Sequence, residues 1–268
     1  MKSEETRALY AEHTISCYGR SSGVVMQRGE GSWVWDSDGN KYLDFTSGIA
    51  VNNLGHCPSR INEVACEQVR LLVHTSNQFY NEPHGKLAKK LAEVSGLDRV
   101  FFSNSGAEAN EAALKIARKW GNERLGGRNE IICYQNAFHG RTLGTISATR
   151  KEAMRAGYEP LLEGFVGVPA FDIDALARAI TTRTVAIICE PIIGGPGVLC
   201  PPEGFLRQLR DLADQNNLLL IFDEMQSAIG RTGKMFAYQH YDIRPDILTM
   251  AKGLANGFPI GATVCTDR

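Results

Sequence analysis

From about residue 85 the chain alternates short apolar runs with amphipathic stretches, and few architectures accept that pattern. The apolar runs are Val100–Ser103, Ile131–Tyr134, Val185–Cys189, Leu218–Phe222, Ile247–Met250 and Ile260–Cys265. They are near-continuous, as parallel strands buried on both faces require. Between them, helical spacing groups Leu87, Leu91 and Val94 within 84–95, Ala109, Ala112, Ala113 and Ile116 within 106–120, and Phe205, Leu209, Leu212 and Ala213 within 204–216. The alternation predicts an α/β fold with a mostly parallel central sheet covered by helices. Ligands of such sheets bind outside the carboxyl ends of the strands, so the polar residues that end these runs are the functional candidates.

Residues 1–50 follow another rhythm: GEGSWVWDSDGNKYLDF alternates apolar and polar positions around Ser37-Asp38-Gly39-Asn40. This predicts a small antiparallel element at the N-terminus, 1–50, and a soft boundary to a larger unit, 51–268. At 268 residues and 43% hydrophobic content, the chain can bury one sizeable core or two modest ones. Its 29 Lys plus Arg nearly balance 30 Asp plus Glu, which gives no electrostatic reason to expect nucleic acid. Neither the leading MKSEETRALYAEH nor runs such as LLLIF approach the roughly 18 apolar residues of a membrane span, so a cytoplasmic chain without a membrane partner is expected. The 7 cysteines, at 17, 57, 66, 133, 189, 200 and 265, are scattered and form no C-x-x-C pair. Reduced thiols, mostly packed in the core, are expected rather than a disulfide framework or metal site.

Four strand ends carry chemistry. Ser105-Gly106-Ala107 lies between a strand and a helix, where free amides at the helix start favour an anion; the same Ser105 also suits an ordinary N-cap. Asp223 ends LLLIFD, where an ionised carboxylate loses solvation unless it meets a cation. A magnesium-holding role there would call for G-x-x-x-x-G-K-[ST], which the chain lacks, as it lacks G-x-G-x-x-G. A protonated ring nitrogen would serve Asp223 instead. Lys252 ends ILTMAKG between the small residues Ala251 and Gly253, and a desolvated lysine there could form a Schiff base; a snorkelling surface lysine is the plainer alternative. NAFHGRTLG sets Phe138, able to cover a flat ring, beside His139 and Arg141, able to grip a carboxylate.

Taken together, the blocks WDSDGNKYLDFTSGIAVNNLGH, HTSNQFYNEP, NSGAEANEAALKIAR, FHGRTLG, CEPIIG, FDEMQSAIGRTGKMFA and PDILTMAKGLANGFPIGA resemble the class III (omega) aminotransferases of the type I pyridoxal-phosphate fold. The acetylornithine and 4-aminobutyrate branches are the most similar. The resemblance implies that pyridoxal 5'-phosphate is the cofactor, with Ser105, Gly106 and Ala107 on its phosphate and Phe138 on its ring. It also implies Asp223 at the ring nitrogen, Gln226 at the ring hydroxyl, Glu190 supporting the site, and Lys252 as the covalent and proton-transferring residue. Arg141 matches the arginine used for a substrate's distal carboxylate. The implied reaction passes an amino group from an omega-amino acid, acetylornithine or 4-aminobutyrate type donor to an oxo-acid such as 2-oxoglutarate or pyruvate, in a homodimer with a shared active site.

Two departures qualify the resemblance. Glu-Pro-Ile is commonly followed by Gln-Gly-Glu in the family, whereas Ile193, Gly194 and Gly195 stand here, which leaves dual-substrate specificity open. Family members also continue past the position of Arg268 into a Thr-containing segment and a small C-terminal domain, so an inactive truncated fragment stands as an alternative. An aminomutase, racemase or epimerase on the same scaffold is another, since all share the lysine.

Overall fold

The computed structural model describes residues 3–20, 22–195 and 197–268. The chain forms two compact units, Met1–Phe79 and Tyr80–Arg268. In the first, β1 (Met26–Glu30), β2 (Trp33–Asp36) and β3 (Lys41–Leu43) form an antiparallel sheet in that order, the small element that the alternating pattern predicts. Asp36 closes the turn between β2 and β3. Its carboxylate accepts from the Asn40 amide at 2.8 Å, the Asn40 side chain at 2.9 Å and the Tyr42 hydroxyl at 2.7 Å, and these bonds hold it down at about 2. The helix Ser59–Leu71 also belongs to this unit.

The second unit is built on a 7-stranded sheet. Its strands are β4 (Arg99–Ser103), β5 (Glu130–Tyr134), β6 (Phe165–Val168), β7 (Thr184–Cys189), β8 (Leu219–Asp223), β9 (Ile247–Met250) and β10 (Gly261–Cys265), in the order β4-β10-β9-β8-β7-β5-β6. From β9 to β6 the pairing is parallel throughout. The run ending at Cys265, grouped by its composition with the parallel strands, instead pairs antiparallel with both β9 and β4. The connection from β9 through 251–260 contains no crossover helix, only the short 3-10 turn Lys252–Ala255, so the chain can do nothing but double back. The edge strand β6, with its short and half-buried FVGV, escaped the sequence pattern altogether.

Successive residues of the central strands face opposite layers. Ile132, Tyr134, Ile187, Cys189, Leu220 and Phe222 join one core, packed with Leu206 and Leu209 of the helix Phe205–Gln215. Ile131, Cys133, Ala186, Ile188, Leu219 and Ile221 join the other, under Ala113, Leu114 and Ala117 of the helix Gly106–Arg124. Burying each such leucine or isoleucine is worth roughly 1.5–3 kcal/mol relative to exposure. The cysteines do not all follow them inward: Cys133 and Cys189 are buried, but Cys17, Cys57, Cys66 and Cys200 are exposed, and all are free. Cysteine is small enough to be tolerated in either setting, so its type alone does not predict burial. Among the described residues no helix is long and apolar enough to cross a membrane.

The helix Gly106–Arg124 approaches the sheet on small residues at Ala109, Ala113, Ala117 and Gly121, all buried. At Gly121 the fit is tightest, since a Cβ would stand 2.0 Å from the Arg128 carbonyl oxygen and 2.7 Å from Val185 Cγ2. Gly121→Ala is therefore expected to destabilise the unit by about 1–3 kcal/mol despite its better helix propensity. The midpoint of urea unfolding checks this; an unchanged or raised midpoint would show that the helix can shift to accommodate the methyl group.

Candidate active site

Each sequence-selected group lies at or just beyond a strand end. Ser105 caps the helix Gly106–Arg124, its Oγ accepting from the Glu108 amide at 3.2 Å and donating to the Glu108 carboxylate at 2.9 Å. Gly106 and Ala107 occupy the first two helical positions, whose amides have no intrahelical acceptor, an arrangement that favours an anion. Asp223, the last residue of β8, is only 2% exposed. Lys252 follows β9 after Ala251, and its φ of 40° puts a non-glycine residue in the left-handed region. Backbone strain of that kind persists where the surroundings enforce a side-chain direction.

Close packing draws these ends together. A Cβ on Gly106 would stand 2.6 Å from Met225 Sδ and 3.4 Å from the Ala251 Cβ, so the helix start sits against the residues that follow Asp223 and precede Lys252. A Cβ on Gly140 would stand 3.0 Å from the Ala107 Cβ, which brings the Phe138–Gly140 loop to the same place. A Cβ on Gly194 would stand 1.9 Å from Gln226 Oε1, so only glycine lets that side chain lie where it does. Glu190, 6% exposed, accepts from the Phe138 amide at 3.1 Å and so supports the loop that carries the aromatic. Arg141 is the outlier: it is exposed, its guanidinium 6.0 Å from the centroid of the Phe138 ring.

A buried carboxylate such as Asp223 needs a cation or several donors, and the chain supplies three donors. His139 Nδ1 donates to Asp223 Oδ2 at 2.8 Å, the Asn110 side-chain amide donates to the same oxygen at 2.7 Å, and the Met225 amide donates to Oδ1 at 3.1 Å. Asn110 carries no site signal in the sequence because it lies one turn into the helix, among residues that read only as a buried face. Burial disfavours a charged His139, yet the hydrogen bond and charge of Asp223, with the charge of Glu190, outweigh it and raise its affinity for a proton. Burial and the neighbouring Asp223 charge push Glu190 up as well. Burial holds Lys252 below its ordinary value, opposed by Asp223 and Glu190, which suits an amine that must attack a carbonyl.

These residues fit a planar, phosphorylated cofactor: a helix start for its phosphate, an aromatic for its face, a buried carboxylate for a ring cation and a partly desolvated amine. Comparison with known proteins agrees. The class-III aminotransferase description matches residues 17–268. This chain belongs to the class-III aminotransferase family. The acetylornithine aminotransferase of Methanocaldococcus jannaschii is 51% identical over 268 residues, covering 100% of this chain and 67% of that protein. The crystal structure of the ornithine aminotransferase from Toxoplasma gondii superimposes with a TM-score of 0.94 at 35% identity, over 99% of this chain and 64% of that one. That of the acetylornithine aminotransferase from Elizabethkingia anophelis gives 0.85 at 36%, over 100% and 65%. The chain thus spans about two thirds of the length of these proteins. The family's cofactor is pyridoxal phosphate and its chemistry is transamination.

Glu224, beside Asp223, faces away from the site and accepts from the Ala237 amide at 2.7 Å, the Tyr238 amide at 3.0 Å and the Ser227 hydroxyl at 3.0 Å. Burial nonetheless pushes its carboxyl from 4.5 up to about 7. The folded chain then holds a proton that the unfolded chain releases, so this contribution to stability is fully present below pH 4.5 and is lost as pH rises through about 7. Glu224→Gln is expected to remove this part of the pH dependence, on the order of 3 kcal/mol between pH 4 and 8. Urea unfolding of both proteins across that range checks it; parallel curves would mean that folding leaves the proton affinity of Glu224 unchanged.

Proposed function

We propose that this chain carries the cofactor-binding centre of an aminotransferase that moves an amino group from an acetylornithine- or other omega-amino-acid-type donor to an oxo-acid such as 2-oxoglutarate. The reading rests on one observation above the rest: the helix start at Gly106, the Phe138 loop, Asp223, Gln226 and Lys252 come together at the carboxyl ends of the strands. The donor class follows the names of the similar proteins, acetylornithine and ornithine aminotransferases. On this reading Ser105, Gly106 and Ala107 bind the cofactor phosphate, Phe138 covers its ring, Gln226 meets its hydroxyl, and Glu190 supports Phe138. Bound pyridoxal phosphate supplies an electron sink for the carbon bearing the amino group.

The chain's own residues do the rest. Asp223 offers a fixed anion to the ring cation, and its hydrogen bonds to His139 and Asn110 prevent it from turning away. Lys252 would hold the cofactor through its amine and would move a proton at that nitrogen, a task helped by its lowered affinity for protons. Arg141, exposed at the edge of the Phe138 loop, receives the distal carboxylate of the donor. Association of two copies around a shared site and a cytoplasmic location complete the proposal.

Reduction with borohydride after loading with pyridoxal phosphate, followed by peptide mass mapping, is expected to find the pyridoxyl group on Lys252. Labelling of another lysine would refute the assignment. Arg141→Ala is expected to lower kcat/KM for donors with a distal carboxylate by about 1.5–3 kcal/mol, the worth of a hydrogen bond between charged groups, while simple amines are unaffected. Steady-state kinetics with both donor classes measures this, and equal losses would move Arg141 out of the substrate site.

A further inference from the structure

Asn110 is 0% exposed and joins three of the elements that build the site to the helix that carries it. Its Nδ2 donates to the His139 carbonyl oxygen at 2.7 Å and to Asp223 Oδ2 at 2.7 Å, while its Oδ1 accepts from the Thr249 hydroxyl at 2.6 Å. Both amide hydrogens and the carbonyl oxygen are used, each on a different segment: the Phe138 loop, the end of β8, and β9 just before Lys252. The amide has one orientation. Turned over, it would set its oxygen against a carbonyl and a carboxylate, neither of which has a proton to donate. We propose that Asn110 is a positioning residue for the reaction: through its bonds to Asp223, His139 and Thr249 it fixes the direction of the Asp223 carboxylate toward the cofactor. This rests on the reading of Asp223 as the partner of the cofactor ring.

The geometry separates this role from that of a plain fold staple. A staple would need one bond between helix and sheet, which Thr263 already provides through its hydroxyl to the Ala109 carbonyl oxygen at 2.8 Å. Asn110 instead spends a donor on the same oxygen that His139 holds, so Asp223 Oδ2 is pinned from two directions and the carboxylate cannot rotate about its own axis. Asn110 also lies one turn after the amides of Gly106 and Ala107, so the same rigid helix sets the distance between the phosphate end and the ring end of the site.

The test measures pyridoxal phosphate affinity by absorbance titration, the pH dependence of the bound-cofactor absorbance, and the urea midpoint of the apo chain. Asn110→Ala is expected to weaken cofactor binding by about tenfold to a hundredfold, the equivalent of one hydrogen bond to a charged group, and to move the pH dependence. Asn110→Asp keeps the shape and the Thr249 contact but sets an acceptor against Asp223, so it is expected to bind the cofactor more weakly than Asn110→Ala. Thr249→Val, which removes only the bond that orients the amide, is expected to show a smaller loss in the same direction and guards against a variant that fails to fold. In an Asp223→Asn background, Asn110→Ala is expected to weaken binding no further. A lowered urea midpoint with wild-type affinity and pH dependence, additive losses in the double variant, or Asn110→Asp binding as well as wild type would overturn the proposal. Wild-type affinity in Asp223→Asn alone would instead overturn the reading of Asp223 on which it rests.

Discussion

A carboxylate at the end of a buried strand dictates much of what surrounds it. Asp223 has almost no access to water, and an uncompensated charge there would cost several kcal/mol. The structure answers with three donors of different origin: an imidazole from the loop after β5, an amide side chain from the helix Gly106–Arg124, and the backbone N–H of Met225. Each donor commits an element. Once the helix must present Asn110 to Asp223, its first turn is committed as well, and once the loop must present His139, Phe138 follows.

Such convergence demands close approach, and the small residues allow it. Gly106 leaves room for the Met225 thioether and Gly194 for the Gln226 side-chain amide, while Gly261 lies against backbone, the Ser105 carbonyl oxygen being 2.2 Å from where a Cβ would be. The antiparallel strand β10 begins there, with Gly261 opposite Ser103 of β4. Strain also enters at Lys252, whose φ of 40° is tolerated by a site otherwise held rigid.

The neighbours Asp223 and Glu224 illustrate how a strand end divides labour. Side chains alternate across a strand, so the first faces the site and the second faces the loop at 237–238, which it fastens through two amides. Burial acts on both sides of this division: it raises Glu190 and Glu224 and lowers Lys252, disfavouring charge wherever no partner restores it. Glu224 takes no part in the site, whereas Glu190, of raised proton affinity, and Lys252, of lowered affinity, both lie near Asp223.

The amino-acid sequence by itself determined the layers and marked out the candidate site residues. Apolar runs of strand length and amphipathic runs of helix length are local properties, and β5, β7, β8 and β9 fall where those runs lie because burial on both faces leaves no other choice. Asp223 and Lys252 are legible because an ionisable group ending an apolar strand is costly without a partner, the Ser105–Ala107 helix start because its first amides lack intrahelical acceptors, and Gln226 only through its resemblance to the family's blocks. Only the tertiary structure decided what cannot be encoded locally: that β10 doubles back, that β6 completes the edge, that four cysteines face solvent, and that His139 and Asn110 converge on one oxygen of Asp223. Asn110 and Asp223 are joined across 113 positions of chain, and no spacing or periodicity reports a hydrogen bond of that range. Its existence depends on how closely a helix lies over a sheet, which the small residues Ala109, Ala113 and Gly121 permit but only the folded packing carries out.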